Sequence, residues 1–238
     1  MKQHIIHKGK AKLQQLVPAK VMQSRLRKRV FQQFAVKLGL VYFGYVDQRD
    51  DEHSLVRGVT VSTKHRDNHY CIGSFDGYDV TVVERVDTLH FPGKESRTHN
   101  WTVMTFDLHR NHDIPHVFMG LATRHDTFHA HLLTKLAHFA KIHVGVLGQY
   151  EPGFTNHYEL FAKPEQALTI ERLFNPAVAK TIASSFGHFM LEIDDGTLYV
   201  YAEGQRPTMT LLEKMLQCGI WMAHVADDFE DNALDEAQ

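Results

Sequence analysis

The chain has 238 residues, of which 43% are hydrophobic, 11% aromatic and 23% charged, with a formal net charge of −2. These proportions are typical of a globular protein with a buried core and exclude a disordered or fibrous chain. Two cysteines are too few for a disulfide framework and favour a reducing compartment such as the cytoplasm. We find no signal peptide, and the apolar stretch 38–46 is too short to cross a membrane, which needs roughly 20 residues.

Charge is distributed unevenly along the chain. Residues 1–46 contain ten Lys or Arg and no acid, whereas the remainder carries 16 basic and 28 acidic side chains. The last thirteen residues hold six acids. We therefore divide the chain into a basic flexible arm at 1–20, one α+β domain at 21–226 and an acidic tail at 227–238. The domain could itself divide into two lobes near 122–142.

The first predicted element is a helix from Val21 to about Leu38, ended by Gly39 in a left-handed cap. Its apolar stripe recurs every four residues: Met22, Leu26, Val30 and Phe34. Strands follow at 40–46, 70–75, 78–86 and 100–108, where β-branched and aromatic residues are frequent. Asp76 and Gly77 form a two-residue hairpin turn. The polar segment 47–68 is expected to be mostly loop.

The second half alternates between helices and strands. A short apolar piece at 116–122 precedes a helix predicted from Asp126 to Lys141, and 156–162 is a strand. A helix at 175–187 has Asn175 as its cap, and a hairpin turns at Asp195-Gly196. The last helix begins near Thr208, where Thr210 and Glu213 have capping-box spacing. The fold class is α+β, an antiparallel sheet meander with packed amphipathic helices.

Eighteen histidines are spread over the chain, and six of them fall between Phe106 and Leu133. On a helix, residues four apart share a face, so two of these side chains could bind one ion with two from the preceding loop. The candidate metal ligands are His125, His129, His112 and His116. Three explanations stay open: a divalent metal such as zinc, a response to pH, and surface histidines without a role. No cofactor is expected unless this metal is bound.

The basic residues define a candidate binding surface on the arm and first helix. They are Lys8, Lys10, Lys12, Arg25, Arg27, Lys28 and Arg29. Such a surface favours an anionic membrane or an acidic protein, and nucleic acid less, because the acidic remainder would repel it. The arm could equally fold back on its own acidic body. We interpret the chain as a non-enzymatic binding module of the cytoplasm or the inner membrane face. A metal-dependent hydrolase using 109–143 is the alternative, and no catalytic residue can be named.

Four segments in the chain carry a resemblance to a known family: "IPHVFMGL", "NHYELFA", "ALTIERLFNPAVAKTI" and "GHFMLEIDDGTLYVYAEG". Together they resemble an uncharacterised bacterial domain family common in small-genome candidate-phylum bacteria, from Phe31 to Val225. The resemblance implies a strand pair and a Pro-His strand before a helix–hairpin–helix ending. Members are often attached to membrane helices, and no activity is established for them. His116 matches the family pattern, which implies a structural role in its strand.

Overall fold

One antiparallel sheet of nine strands organises the molecule. The computed structural model describes residues 19–45, 56–59, 65–89, 97–109, 114–122 and 136–229. The strands are β1 (Val41–Phe43), β2 (His65–Phe75), β3 (Tyr78–Leu89), β4 (Arg97–Asp107), β5 (Val117–Leu121), β6 (Ala140–Ile142), β7 (Tyr158–Ala162), β8 (Met190–Asp194) and β9 (Thr197–Glu203). Their order is β1-β2-β3-β4-β9-β8-β5-β7-β6, and every neighbouring pair is antiparallel. The predicted α+β class is confirmed, and β1 to β4 form the predicted meander.

Helices cover one face of this sheet, which we call the helix face. They are α1 (Ala19–Leu38), α2 (Pro152–Thr155), α3 (Ala167–Leu173), α4 (Pro176–Ser185) and α5 (Met209–Asp227), with a 3₁₀ turn at Pro164–Gln166. The side chains of Phe31 and Phe34 on α1 and of Met215 and Met222 on α5 are fully buried in its core. Their burial follows from the period of 3.6 residues, which places them on one side of each helix.

A second, smaller core lies on the opposite face, which we call the second face. Loop 56–59, here called the strap, crosses this face and buries Val56 and Val59 against Trp101 and Tyr201. Leu136, just before β6, packs in the same core. Within the described residues, the strap and Leu136 therefore cover part of the second face, and polar side chains of the sheet beneath them are buried.

Both predicted hairpin turns are confirmed. Asp76 and Gly77 have φ of 52° and 86°, and Asp195 and Gly196 have φ of 46° and 70°. A type I′ turn needs positive φ at both central residues, and Asp-Gly adopts this conformation readily. These turns fix the register of the β2–β3 and β8–β9 pairs.

The helix caps were predicted in part. Gly39 has φ of 72°, and the Asn175 side chain accepts hydrogen bonds from the backbone N–H groups of Ala177 and Val178. Both caps are confirmed. The Thr210 capping box was wrong, because Thr208 caps α5 by accepting from the N–H of Leu211 at 3.1 Å.

Three predicted segments need correction. The strand β2 starts at His65, within the predicted loop, because its polar side chains bond across to β3. On α1, Leu26 is exposed and Phe31 is buried, so the buried stripe is rotated from the predicted one. The helix predicted to Lys141 is wrong at its end, where residues 136–138 form a turn and β6 begins at Ala140. Its earlier residues, Phe128 and Leu132 included, lie outside the described residues.

Gly219 permits the close contact between α5 and β4. A Cβ at this position would overlap the ring of Phe106, which is fully buried. We expect Gly219→Ala to lower the free energy of unfolding by about 1–2 kcal/mol, because overpacking outweighs the gain of roughly 1 kcal/mol in helix propensity. Denaturant unfolding measures the change. The exposed Gln217→Ala on the same helix should stay within about 0.5 kcal/mol of the parent, and a stabilised Gly219→Ala would contradict this packing.

Candidate functional site

The outward side of α1 mixes cations with apolar side chains. Arg25, Lys28 and Arg29 are exposed, and the helix sequence contains no acid. Leu26 is 41% exposed and Val36 is 82% exposed. Large apolar side chains that face solvent beside cations are typical of surfaces that contact another apolar and charged body.

The strand after α1, β1, lies at the edge of the sheet and also has exposed apolar side chains. Val41, Phe43 and Tyr45 are exposed, and the guanidinium of Arg66 lies 5.7 Å from the centre of the Tyr45 ring. Among the described residues, eight large hydrophobic side chains are exposed, and five of these lie between residues 26 and 45. Exposed apolar area is therefore concentrated at this edge.

Arg27 differs from its neighbours because it bonds within the molecule. Its Nη1 donates to Oε1 of Glu84 on β3 at 2.6 Å. Burial raises the pKa of Glu84, and the Arg27 charge opposes that shift. Arg27 therefore anchors α1 to the sheet, whereas the other described cations of the predicted binding surface, Arg25, Lys28 and Arg29, are exposed.

His69 completes the contact beneath α1. It has φ of 60° at the irregularity between Asn68 and Cys71 in β2, and its ring stacks on Phe31 at 5.2 Å. Its Nδ1 lies 2.8 Å from the Tyr42 hydroxyl. Burial lowers the pKa of His69, and the charges of Arg27 and Lys28 lower it further. His69 is therefore held as a neutral imidazole that accepts the Tyr42 hydrogen bond.

On the second face, a buried ion pair holds the strap. Arg85 is fully buried and donates from Nε and Nη2 to the two carboxylate oxygens of Asp67, both at 2.7 Å. The same guanidinium donates to the backbone carbonyls of Val56 at 2.5 Å and Arg57 at 3.1 Å. A buried charge needs such complete pairing, so one side chain fixes the start of the strap.

The far end of the strap is bound by Glu192, a residue 2% exposed on β8. Its Oε2 accepts from the backbone N–H of Val59 at 2.8 Å and from the hydroxyl of Tyr201. Burial and the Glu192 charge raise the pKa of Tyr201 well above its ordinary value, so the phenol stays protonated as a donor. Gly58 has φ of 90°, and a Cβ there would lie 3.1 Å from Glu192 Oε2 and overlap the Tyr201 hydroxyl.

The other oxygen of Glu192 meets the predicted ligand His116. Nε2 of His116 lies 2.9 Å from Glu192 Oε1, and its Nδ1 lies 3.2 Å from Oδ1 of Asp194. One ligand atom from each of the three residues lies within 4.8 Å of the others. Burial raises the pKa of Asp194, and His116 opposes that shift. The ring of His116 thus lies between two carboxylates and packs nearly perpendicular to the Phe139 ring, with 4.7 Å between the ring centres.

Only part of the predicted site lies in the described residues. His112, His125 and His129 and the arm residues Lys8, Lys10 and Lys12 fall outside them. The candidate site residues named from the sequence did not include Glu192, Tyr201 or Asp194. One signal pointed to Glu192: a carboxylate in the middle of the apolar strand "MLEID". β8 is a central strand, and a charged side chain that is buried there needs a polar partner.

Comparison with known proteins gives a fold. No family model matches the chain, and no curated protein matches it. A crystal structure of the mycobacterial trehalose monomycolate transport factor A, TtfA, is similar with a TM-score of 0.55 and 10% sequence identity. The match covers 85% of this chain and 93% of that chain. At this identity the likeness shows a common fold alone. Within the described part of the chain, no helix is long and apolar enough to cross a membrane.

Removing the Arg85 side chain tests the buried ion pair. We expect Arg85→Met to lower the free energy of unfolding by about 3–5 kcal/mol, because Asp67 is left buried without its counter-charge. Urea unfolding followed by circular dichroism gives the value. Arg66→Met changes the exposed neighbour of Asp67 and should cost under about 1 kcal/mol. A similar small cost for both variants would contradict the anchoring role of Arg85.

The lowered pKa of His69 predicts a pH dependence of stability. The unfolded chain binds this proton at the ordinary pKa near 6.5, above the folded value, so the contribution of His69 is present above that pH and is lost as pH falls. Between about pH 7.5 and about pH 5.5, the parent should therefore lose more unfolding free energy than His69→Asn. Asn tolerates positive φ, which preserves the backbone. The exposed His157→Asn should behave as the parent, and equal losses in all three proteins would refute the shift.

Proposed function

We propose that this protein is a binding module that docks its first helix on an anionic membrane surface. The observation that carries the proposal is the outward side of α1, where exposed Arg25, Lys28 and Arg29 accompany exposed Leu26 and Val36. The arm residues Lys8, Lys10 and Lys12 would add charge at the same end. The surface in question would be the inner face of the membrane in the cytoplasm.

The energetics of a bilayer suit this combination of side chains. Each Lys or Arg near an anionic leaflet contributes about 1 kcal/mol, and apolar side chains add the burial of their area at the headgroup boundary. The anchor side of α1 stays with the body through Arg27 and Phe31, so docking would require no unfolding of the helix. The helix would lie along the surface as a fixed part of the domain.

Two features favour a membrane over other anionic partners. The apolar side chains between the cations gain nothing from the phosphates of nucleic acid, whereas at a bilayer they can bury their area at the headgroup boundary. The solved neighbour is named for the transport of trehalose monomycolate. A membrane-surface role for this chain is consistent with that name. With an acidic protein as the partner instead, the parent would show no salt-sensitive binding to anionic vesicles.

The metal-dependent hydrolase stays a prediction of the sequence. Of its four candidate ligands, the described residues include His116 alone. Its described neighbours are the carboxylates of Glu192 and Asp194, and Tyr201 bonds Glu192. We identify no nucleophile or substrate cleft among these described residues. Binding is therefore the function that we propose.

Neutralising the outward cations tests the proposal. The triple variant Arg25→Gln/Lys28→Gln/Arg29→Gln should bind vesicles containing anionic lipid about 100-fold more weakly than the parent, because about 3 kcal/mol of attraction is lost. Vesicle co-sedimentation over a range of lipid concentration measures the change. Binding of the parent should fall as salt rises and should be absent on vesicles of neutral lipid.

Matched variants make the result specific. Lys163→Gln alters an exposed cation beside β7, at the far edge of the sheet, and should bind as the parent does. Leu26→Ser/Val36→Ser should weaken binding at high salt as well, because it removes apolar contact. Equal binding by the parent and the triple variant would overturn the proposal. Loss in the triple variant with no effect of the apolar double variant would contradict burial of Leu26 and Val36 in the bilayer and leave charge attraction alone.

A further inference from the structure

We propose that His116 and Asp194 form a binding site for one divalent transition-metal ion, with Glu192 orienting the histidine from behind. The ligands would be Nδ1 of His116 and Oδ1 of Asp194. This inference is independent of the membrane proposal, since the cluster lies on the second face and α1 packs on the helix face.

The geometry of His116 distinguishes the roles of its two nitrogens. Glu192 Oε1 lies 2.9 Å from Nε2, and a carboxylate accepts, so a neutral ring that bonds Glu192 would carry its proton on Nε2. The lone pair then lies on Nδ1, directed to Asp194 at 3.2 Å. Two lone-pair atoms at that distance repel unless a proton or a cation lies between them. Two ligands of a tetrahedral zinc ion are about 3.3 Å apart, which matches.

The surroundings of Glu192 hold it in this supporting role. Its second oxygen is occupied by the Tyr201 hydroxyl and by the N–H of Val59, so its orientation is fixed from two sides. Gly58 lets the strap approach closely enough to make the second of these bonds. A carboxylate that bonds the far nitrogen of a metal-ligating histidine fixes the tautomer and raises ligand basicity. Burial of Glu192 strengthens the effect, because no water competes for its oxygens.

The exposure of the pair leaves room for further ligands. The side chain of His116 is 25% exposed and that of Asp194 is 43% exposed, whereas Glu192 is 2% exposed. Water can therefore complete the coordination of the ion on the solvent side. An imidazole with one carboxylate suits zinc and its neighbours in the first transition row better than calcium or magnesium, which prefer oxygen alone.

Calorimetry on chelator-treated, untagged protein tests the site with zinc chloride. The parent should bind one ion in excess of any weak surface binding, and His116→Gln and Asp194→Asn should each remove this component. Glu192→Gln should weaken it about 10- to 100-fold, the usual effect of losing a supporting carboxylate. His157→Gln alters an exposed histidine whose Nδ1 lies 2.9 Å from the carbonyl of Gly153, and it should leave the component intact.

Two readings would overturn the site. The first is the same zinc isotherm in the parent and in His116→Gln, which would assign all binding to surface histidines. The second is no saturable component in the parent, which would leave His116 as an imidazolium that bonds both carboxylates. Asp194 is partly exposed and lies next to the β8–β9 turn, so the fold should tolerate Asp194→Asn. The unfolding curve of this variant checks that the fold is retained. Vesicle binding of these variants should equal that of the parent.

Discussion

The pairing of Arg85 with Asp67 is the interaction on which the second face depends. A fully buried guanidinium is tolerated because Asp67 accepts two hydrogen bonds from it and the strap carbonyls of Val56 and Arg57 accept two more. The strap is thereby held at one end, and its other end reaches Glu192 through the N–H of Val59. Arg85 therefore holds the strap over the sheet, and through the strap it also helps to position Glu192, the carboxylate that contacts His116.

The first helix shows how one element serves two requirements. Its inner side must satisfy the core, and Phe31, Arg27 and the neutral ring of His69 do so with apolar contact, an ion pair and a stacked ring. The outer side of α1 does not pack in the core, and it carries exposed cations next to Leu26 and Val36. Exposed apolar area of this kind is unfavourable in water, and contact with a membrane would remove it from water.

Local signals predicted the local structure well. The Asp-Gly turns and the Asn175 cap depend on a few adjacent residues, and they were found from those residues alone. Contacts between distant segments were not predicted, because the sequence around a buried polar residue does not indicate which distant residue forms a hydrogen bond or ion pair with it. Glu192 contacts His116, which is 76 positions away in the sequence. Arg27 lies on the inner side of α1 because it pairs with Glu84, 57 positions later. The predicted apolar stripe was correct at Phe34 and wrong at Leu26, which is exposed.

A measurement of membrane depth on α1 tests whether this helix docks on an anionic bilayer. Both native cysteines are buried, so a spin label at Leu26→Cys can be attached selectively. On anionic vesicles, the account predicts that this label gains exposure to oxygen and loses exposure to a water-soluble relaxation agent, while a label at Val146→Cys, near the far edge of the sheet, keeps its solution values. Unchanged accessibility at Leu26→Cys on vesicles that have bound the protein would contradict docking through this helix.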